Sequence, residues 1–237
     1  MNKKSSAGTH LLLVKGGSAP KETTIVSERK TNILVRKDIQ VRVLVGAFLK
    51  MEKDYKKEFI EIIKNDNFLT ELLKIVRELD LPDWFVVAGV VRNRVWDFLH
   101  GYGQNTELRD VDVIYFDNSK FNSEEDKRIE KKLREKRNDI EWDVFNQARR
   151  HLKNQKSVNS SEEALFYYSE TANCIGVRLN KDGSFFVCAP YGFEDLMNLI
   201  VKPVPEPYQN MELFNLRTKE KGWFEKWPKL KLITSPQ

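Results

Sequence analysis

The sequence predicts an α/β fold in which helices flank one mixed β-sheet. Three observations carry that expectation. Apolar spacings of three and four, which mark helices, alternate along the chain with spacings of two or short solid apolar runs, which mark strands. The strand-like runs at 84–88 and 110–116 are bounded by Pro, Gly and Asp, as strands are. The chain has 237 residues and is 41% hydrophobic, enough for one substantial core and too little for several small domains.

Taken in order, residues 1–36 are rich in Ser, Thr, Gly and Lys and lack periodicity over most of their length. They read as a basic flexible tail, with 37–237 as a single domain. The tail holds seven basic and two acidic residues, so it carries the whole net charge of +5 and leaves the body neutral in sum. Spacings such as Phe59, Ile62, Ile63 and Leu69, Leu72, Leu73, Val76 predict helices over 38–64 and 67–78, the second stopped by Asp80 and Pro82. A buried strand is expected at 84–88, a helix at 90–99 ending on Gly101 and Gly103, and a strand at 110–116. Ser123 reads as the cap of a charged helix running to about Arg137, and 140–146 alternates like another strand. Asn180-Lys181-Asp182-Gly183 reads as a hairpin turn between strands at 174–178 and 184–189, and a helix starts at Gly192. No apolar run approaches the length of a membrane span, and the two cysteines make no disulfide scaffold. A cytoplasmic protein with reduced thiols and no membrane partner is the expectation.

Chemistry concentrates in "VAGVVRNRVWDFLHGYGQNTELRDVDVIYFD", residues 87–117. Asp110 and Asp112 stand two apart in a strand and so face the same way. Two carboxylates crowded at a buried strand end repel each other and lose hydration, and a divalent cation offsets both costs. Asp143, or by parity Glu141, offers a third carboxylate from another strand. If that strand is a neighbour, the set suits two-metal phosphoryl transfer. Gly89 lets a phosphate approach the backbone at a strand-to-helix junction. The helix from Val90 then aims its N–H groups and positive dipole end at that phosphate, with Arg92 and Asn93 in its first turn. Asn146, Gln147, Arg149 and His151 follow the third carboxylate, either as contacts to triphosphate, base or acceptor, or as a polar corner bonding loop backbone. The basic, aromatic C-terminal stretch around Trp223 and Trp227 reads as a segment pinned onto the core.

Ala88-Gly89-Val90-Val91-Arg92-Asn93 followed by Asp110-Val111-Asp112 resembles the signature of the polymerase-beta-like nucleotidyltransferases. The form in CCA-adding tRNA nucleotidyltransferases is Gly-Gly-x-Val-Arg-Asp and then Asp-x-Asp. Here Ala88 stands for the first glycine and Asn93 for the aspartate. The chain more closely resembles a small bacterial family of nucleotidyltransferase-like proteins, through "AGVVRNRVWDFLHG", "DVDVIYFD", "NQARRH", "APYGFEDL" and "WPKL", over about Asp66 to Leu232. That resemblance implies the minimal nucleotidyltransferase fold, with Asp110, Asp112 and Asp143 as ligands of Mg²⁺ or Mn²⁺. Asp143 takes the carboxylate position just before "VFNQARRH".

The leading expectation is therefore an enzyme that moves a nucleoside monophosphate from a nucleoside triphosphate to an acceptor and releases pyrophosphate. The acceptor stays open among RNA, protein and small molecule. Two alternatives stand beside it: an inactive nucleotide- or RNA-binding protein of the same fold, and a haloacid-dehalogenase-type phosphatase. The phosphatase requires its aspartates to follow an early strand.

Overall fold

The computed structural model describes residues 54–103, 106–108, 110–153 and 156–234, together with the backbone of 23–28 and 31–36; the side chains of 151–153 fall outside the description. It divides into two units, residues 1–53 and residues 54–237. In the first, β1 (Thr23–Glu28) and β2 (Thr31–Arg36) pair antiparallel, with Glu28 opposite Thr31. The sequence reading does not anticipate this hairpin. The rest of the expected tail, and the part of the first expected helix before residue 54, lie outside the described residues.

Two aspartates set the helices that open the second unit. The Asp54 carboxylate accepts from the Lys57 amide at 3.0 Å and starts α1 (Tyr55–Asn65). Asp66 accepts from the Leu69 amide at 2.8 Å and starts α2 (Asn67–Arg77). The three-and-four spacing buries Phe59, Ile62 and Ile63 from one helix and Leu69, Leu72, Leu73 and Val76 from the other. Each such side chain gains roughly 1.5–3 kcal/mol by leaving water.

They pack on a five-stranded sheet. After β3 (Phe85–Val87) come α3 (Gly89–His100), β4 (Val111–Tyr115), α4 (Ser123–Lys136), β5 (Trp142–Asn146), the four-residue α5 (Ser161–Ala164), β6 (Gly176–Leu179) and β7 (Phe185–Cys188). The strand order is β5-β4-β3-β6-β7. The β4–β5 pair is parallel and the other neighbours are antiparallel. Parallel neighbours need a crossover, which α4 supplies. The sheet is thus mixed and flanked by helices.

Alternation along the strands sorts the two faces. Val86, Val111, Val113, Tyr115, Trp142 and Val144 enter the main core with α1 and α2. Phe85, Val87 and Ile114 turn the other way, onto Val158, Ala164 and Leu165. Asp112 and Asp143 share the parity of this second face, so the candidate site lies away from the main core.

Several local expectations shift by a residue or more. The cap of α4 is Asn122, which accepts from the Glu124 amide at 2.9 Å, and Ser123 is already helical. The helix expected from Gly192 is only α6 (Glu194–Met197). Beyond it, β8 (Ile200–Val201) pairs with β9 (Lys231–Leu232), and between them lie α7 (Met211–Glu220) and α8 (Trp223–Lys226). Proline-rich sequence hides these helices, although Asn210 caps α7 by accepting from Leu213 at 3.0 Å. Trp223 and Trp227 are buried against Trp96 in edge-on contacts. Cys174 and Cys188 are free thiols, and the hairpin register sets Cys188 opposite Gly176. Among the described residues, no helix is long and apolar enough to cross a membrane.

Candidate active site

The register of the parallel pair builds the centre of the site. Asp112 is the second residue of β4, and its partner across the ladder is Asp143 of β5. Neighbouring strands run about 4.8 Å apart, and directly opposed residues project to the same face. Asp110 lies just before β4 with the parity of Asp112. Glu141 precedes β5, is exposed, and pairs with Arg134 at 3.4 Å, so Asp143 is the carboxylate opposite Asp112. Burial, and then the charges of Asp110 and Asp143, push the Asp112 carboxyl up to about 7, against the opposing pull of Arg92 and Arg217. That is the electrostatic signature of too much negative charge in too little water. Hard oxygen donors of this kind suit Mg²⁺ or Mn²⁺. Among the described residues no three acidic, imidazole or thiol side chains form a ready cage, and Mg²⁺ requires only one or two protein carboxylates beside water and phosphate. The aspartates open their strand instead of following it, which removes the geometric premise of the phosphatase alternative.

A helix start lies beside this pair. Val87, the last residue of β3, stands opposite Asp112, so the chain turns into α3 one residue from the carboxylates. No side chain caps α3, which leaves first-turn N–H groups available to an anion. A Cβ placed on Gly89 would meet only open space on this side. Val90 and Val91 of the first turn are buried, so only their backbone can serve the cleft.

The turn itself explains one departure from the family signature. Ala88 sits at φ 54 and ψ −119, a conformation that L side chains rarely adopt, at the position where the signature has its first glycine. The backbone keeps the glycine geometry although the residue has changed. Relief of strain, roughly 1–3 kcal/mol, opposes the loss of one buried methyl and the extra unfolded-state entropy of glycine, together of similar size. Ala88→Gly is therefore expected to be neutral or stabilising by up to about 1 kcal/mol, although Ala→Gly in an ordinary core costs stability. Urea unfolding tests this, and a loss above about 1 kcal/mol would show that packing of the methyl outweighs the strain.

Two clefts meet at Asp112. One, of about 420 Å³, is lined by Gly89, Arg92, Asn93, Asp110, Asp112 and Arg217. The other, of about 240 Å³, is lined by Asp112, Asp143, Gln147, Arg150, Tyr168 and Arg217. Arg92 is buried at the wall of the first. Its Nη1 donates to Asn173 at 2.9 Å and its Nη2 to Asn93 at 2.8 Å, while its guanidinium lies 4.7 Å from the Trp96 ring centre and 4.5 Å from that of Trp223. Burial draws its pKa down to about 10, so it remains a cation at neutral pH. Asn93, which replaces the signature aspartate, orients Arg92 through a neutral amide oxygen.

The residues after Asp143 divide. Gln147 lines the second cleft and accepts from Arg150 at 3.1 Å. Asn146 and Arg149 do not reach either cleft. Asn146 is fully buried, donating to the carbonyls of Asp117 and Lys120 and accepting from the amides of Asp117 and Ala148. Arg149 is buried in an ion pair with Asp126. The substrate reading of these two gives way to the polar corner, because the strand end and the α4 crossover need their backbone and charge satisfied internally. The side chain of His151 lies outside the described residues.

Sequence reasoning missed Arg150, Tyr168, Glu170, Asn173 and Arg217. Of these only Arg150 stands in a quoted motif, "NQARRH", where its neighbours Gln147, Arg149 and His151 were singled out instead; the local sign at Arg217 was a basic residue near buried tryptophans. Tyr168 stays a phenol, its pKa raised by burial and by Asp112.

Comparison with known proteins bears on this geometry. A family model described as Nucleotidyltransferase matches residues 74–232. An NMR structure described as revealing a CCA-adding enzyme head domain is 35% identical, with a TM-score of 0.67 over 76% of this chain and 96% of its own. The Thermotoga maritima CCA-adding enzyme complexed with tRNA is 16% identical, with a TM-score of 0.47 over 76% of this chain and 42% of its own. A CCA-adding enzyme in complex with CTP is 13% identical, with a TM-score of 0.41 over 73% of this chain and 48% of its own. The chain thus spans less than half of those two enzymes. No curated protein matches it significantly.

Proposed function

The chain belongs to the nucleotidyltransferase family, and on that premise we propose that it transfers a nucleoside monophosphate from a nucleoside triphosphate to an acceptor, releasing pyrophosphate, with Mg²⁺ or Mn²⁺ as cofactor. The observation that carries the reading is Asp112 in register with Asp143, one residue from an uncapped helix start. Bound by Asp110, Asp112 and Asp143, the cation would neutralise phosphate charge and lower the pKa of the attacking group. The α3 N–H groups around Gly89, and Arg92, hold the triphosphate, and Asn93 keeps the Arg92 fork in place. The acceptor oxygen attacks the α-phosphorus, the α–β bridging P–O bond breaks with its electron pair leaving on pyrophosphate, and the acceptor proton passes to a site carboxylate or water. Catalysis on this reading is in-line positioning and charge neutralisation. A cytoplasmic location, where triphosphates and Mg²⁺ abound, belongs to the same reading.

The cleft on the Asp143 side is the place for the acceptor. RNA is the first acceptor to test, since similar structures include a CCA-adding enzyme complexed with tRNA. The experiment supplies each of the four α-labelled nucleoside triphosphates with Mg²⁺ or Mn²⁺ to total RNA and, separately, total protein, beside an Asp112→Ala control. Label that requires Asp112 supports the transferase and identifies the acceptor pool. Equal label with the control overturns the assignment of Asp112.

A further inference from the structure

Arg217 is the side chain that both clefts share with Asp112 and Tyr168, and no motif points to it. It comes from α7, more than a hundred residues beyond Asp110 and Asp112, and a buried acid holds it in place. Glu170 is 1% exposed, and its Oε1 accepts from Arg217 Nε at 2.8 Å and from the Ser169 hydroxyl at 2.9 Å. Its backbone is fixed as well, bridging to Pro203 and accepting from the Cys174 thiol. The Arg217 guanidinium lies 5.5 Å from the centre of the Trp223 ring, the same ring that packs against Arg92. Two guanidinium groups are therefore gathered at one tryptophan beside the uncapped start of α3.

Glu170 answers both charges, pairing with Arg217 and favouring the cationic form of Arg92, but one carboxylate against two guanidinium groups leaves positive charge for a further anion. Glu170 binds Arg217 through Nε, so the two terminal nitrogens of that fork are not the ones it uses. Arg92 faces the same cleft, where the first-turn N–H groups of α3, Lys221 and Lys226 add further positive potential, opposite the carboxylates of Asp110 and Asp112 that would hold the cation. An extended polyanion with several phosphates matches this pattern better than one phosphate at the end of an acceptor.

We infer that Arg217 and Arg92 form a two-arginine clamp on the β- and γ-phosphates of the nucleotide, with Glu170 as the positioning residue for Arg217. The inference rests on the nucleotidyltransferase reading and adds the C-terminal helix to its binding site. The C-terminal segment thereby completes the triphosphate site, and release of pyrophosphate passes through Arg217.

Calorimetric titration of the full chain with inorganic tripolyphosphate, a non-hydrolysable triphosphate analogue and a nucleoside monophosphate, each with Mg²⁺, tests it. Loss of one bidentate charged contact is worth roughly 10–100-fold in affinity. Arg217→Gln is expected to weaken tripolyphosphate and the triphosphate analogue by that factor, leaving monophosphate affinity within about 2-fold. Arg217→Lys should recover part of the loss. Glu170→Gln should show a smaller weakening of the same selective kind, which damage to the fold alone would not produce. Wild-type affinity for tripolyphosphate in Arg217→Gln, or equal loss for all three ligands, overturns the clamp. Failure of the wild-type chain to bind any nucleotide instead overturns the parent reading, so the two failures are distinct.

Discussion

Asp112→Asn is expected to abolish nucleotidyl transfer, by about 10³-fold or more, and at the same time to stabilise the metal-free protein. The first effect follows from removing the carboxylate at the junction of both clefts. The second follows from its protonation. The Asp112 carboxyl is pushed up to about 7 in the folded chain, burial being the largest cause and Asp110 and Asp143 the next. In the unfolded chain an aspartate titrates near 3.9. The folded state therefore holds this proton more tightly, so its contribution to stability is complete below about pH 4 and is lost as pH rises through about 7. In EDTA the wild-type chain should lose roughly 2–4 kcal/mol across that window relative to Asp112→Asn, which carries no titrating group there. Urea unfolding at pH 5 and pH 8, with EDTA and then with Mg²⁺, reads the effect. Mg²⁺ should restore wild-type stability at pH 8 and leave the variant nearly unchanged. An Asp112→Asn chain no more stable than wild type at pH 8, or one that still transfers nucleotide, would sink the account. The cost of the charged cluster is borne by the fold because function uses it.

How much of this was legible in the residues differs from place to place. The parity of Asp110 and Asp112 and the alternation of 140–146 were on the page, because strand period is a local property. That Asp143 would stand directly opposite Asp112 was conditional on strand adjacency, which only the crossover through α4 fixes. The helices α1 and α2 were visible because one amphipathic stripe each meets the core, whereas α7 buries little beyond Phe214 and leaves no such stripe. The cysteines could have faced each other had the hairpin been shifted; its register puts Gly176 opposite Cys188. Ala88 looked like a loss of the signature glycine, and only its φ of 54 shows that the turn survived the change. Arg217 was invisible for a different reason: its role depends on Glu170 and Trp223, which no spacing rule connects. Local pattern found the carboxylates and Arg92, and long-range packing supplied Arg217 beside them.

Arg149 illustrates the reverse error, a residue that a motif promotes and packing claims. Arg149→Met is expected to destabilise the protein by about 3–5 kcal/mol while leaving the turnover of the folded fraction within a few-fold of wild type. Its partner Asp126 sits in the first turn of α4 at 5% exposure, also accepting from the Tyr115 hydroxyl at 2.8 Å and from the Asn146 amide at 3.4 Å. Removal of the guanidinium leaves a buried carboxylate with two neutral donors and no cation, and the cost is mainly that uncompensated charge. Asp126→Asn combined with Arg149→Met removes both charges, so the double variant should recover a large part of the loss. The Tyr115 hydroxyl can still donate to the amide oxygen in that variant, which keeps the polar corner satisfied. A substrate-contacting Arg149 would behave in the opposite way, lowering transfer or raising KM with little change in the urea midpoint and no rescue by Asp126→Asn. Because Asn146 ends β5 and ties the Asp117–Lys120 turn in the same corner, the pair also fixes the strand that presents Asp143. The effect of Arg149 on chemistry is therefore exerted through the population of folded molecules, and equilibrium unfolding measured beside kcat separates that from a contact in the cleft.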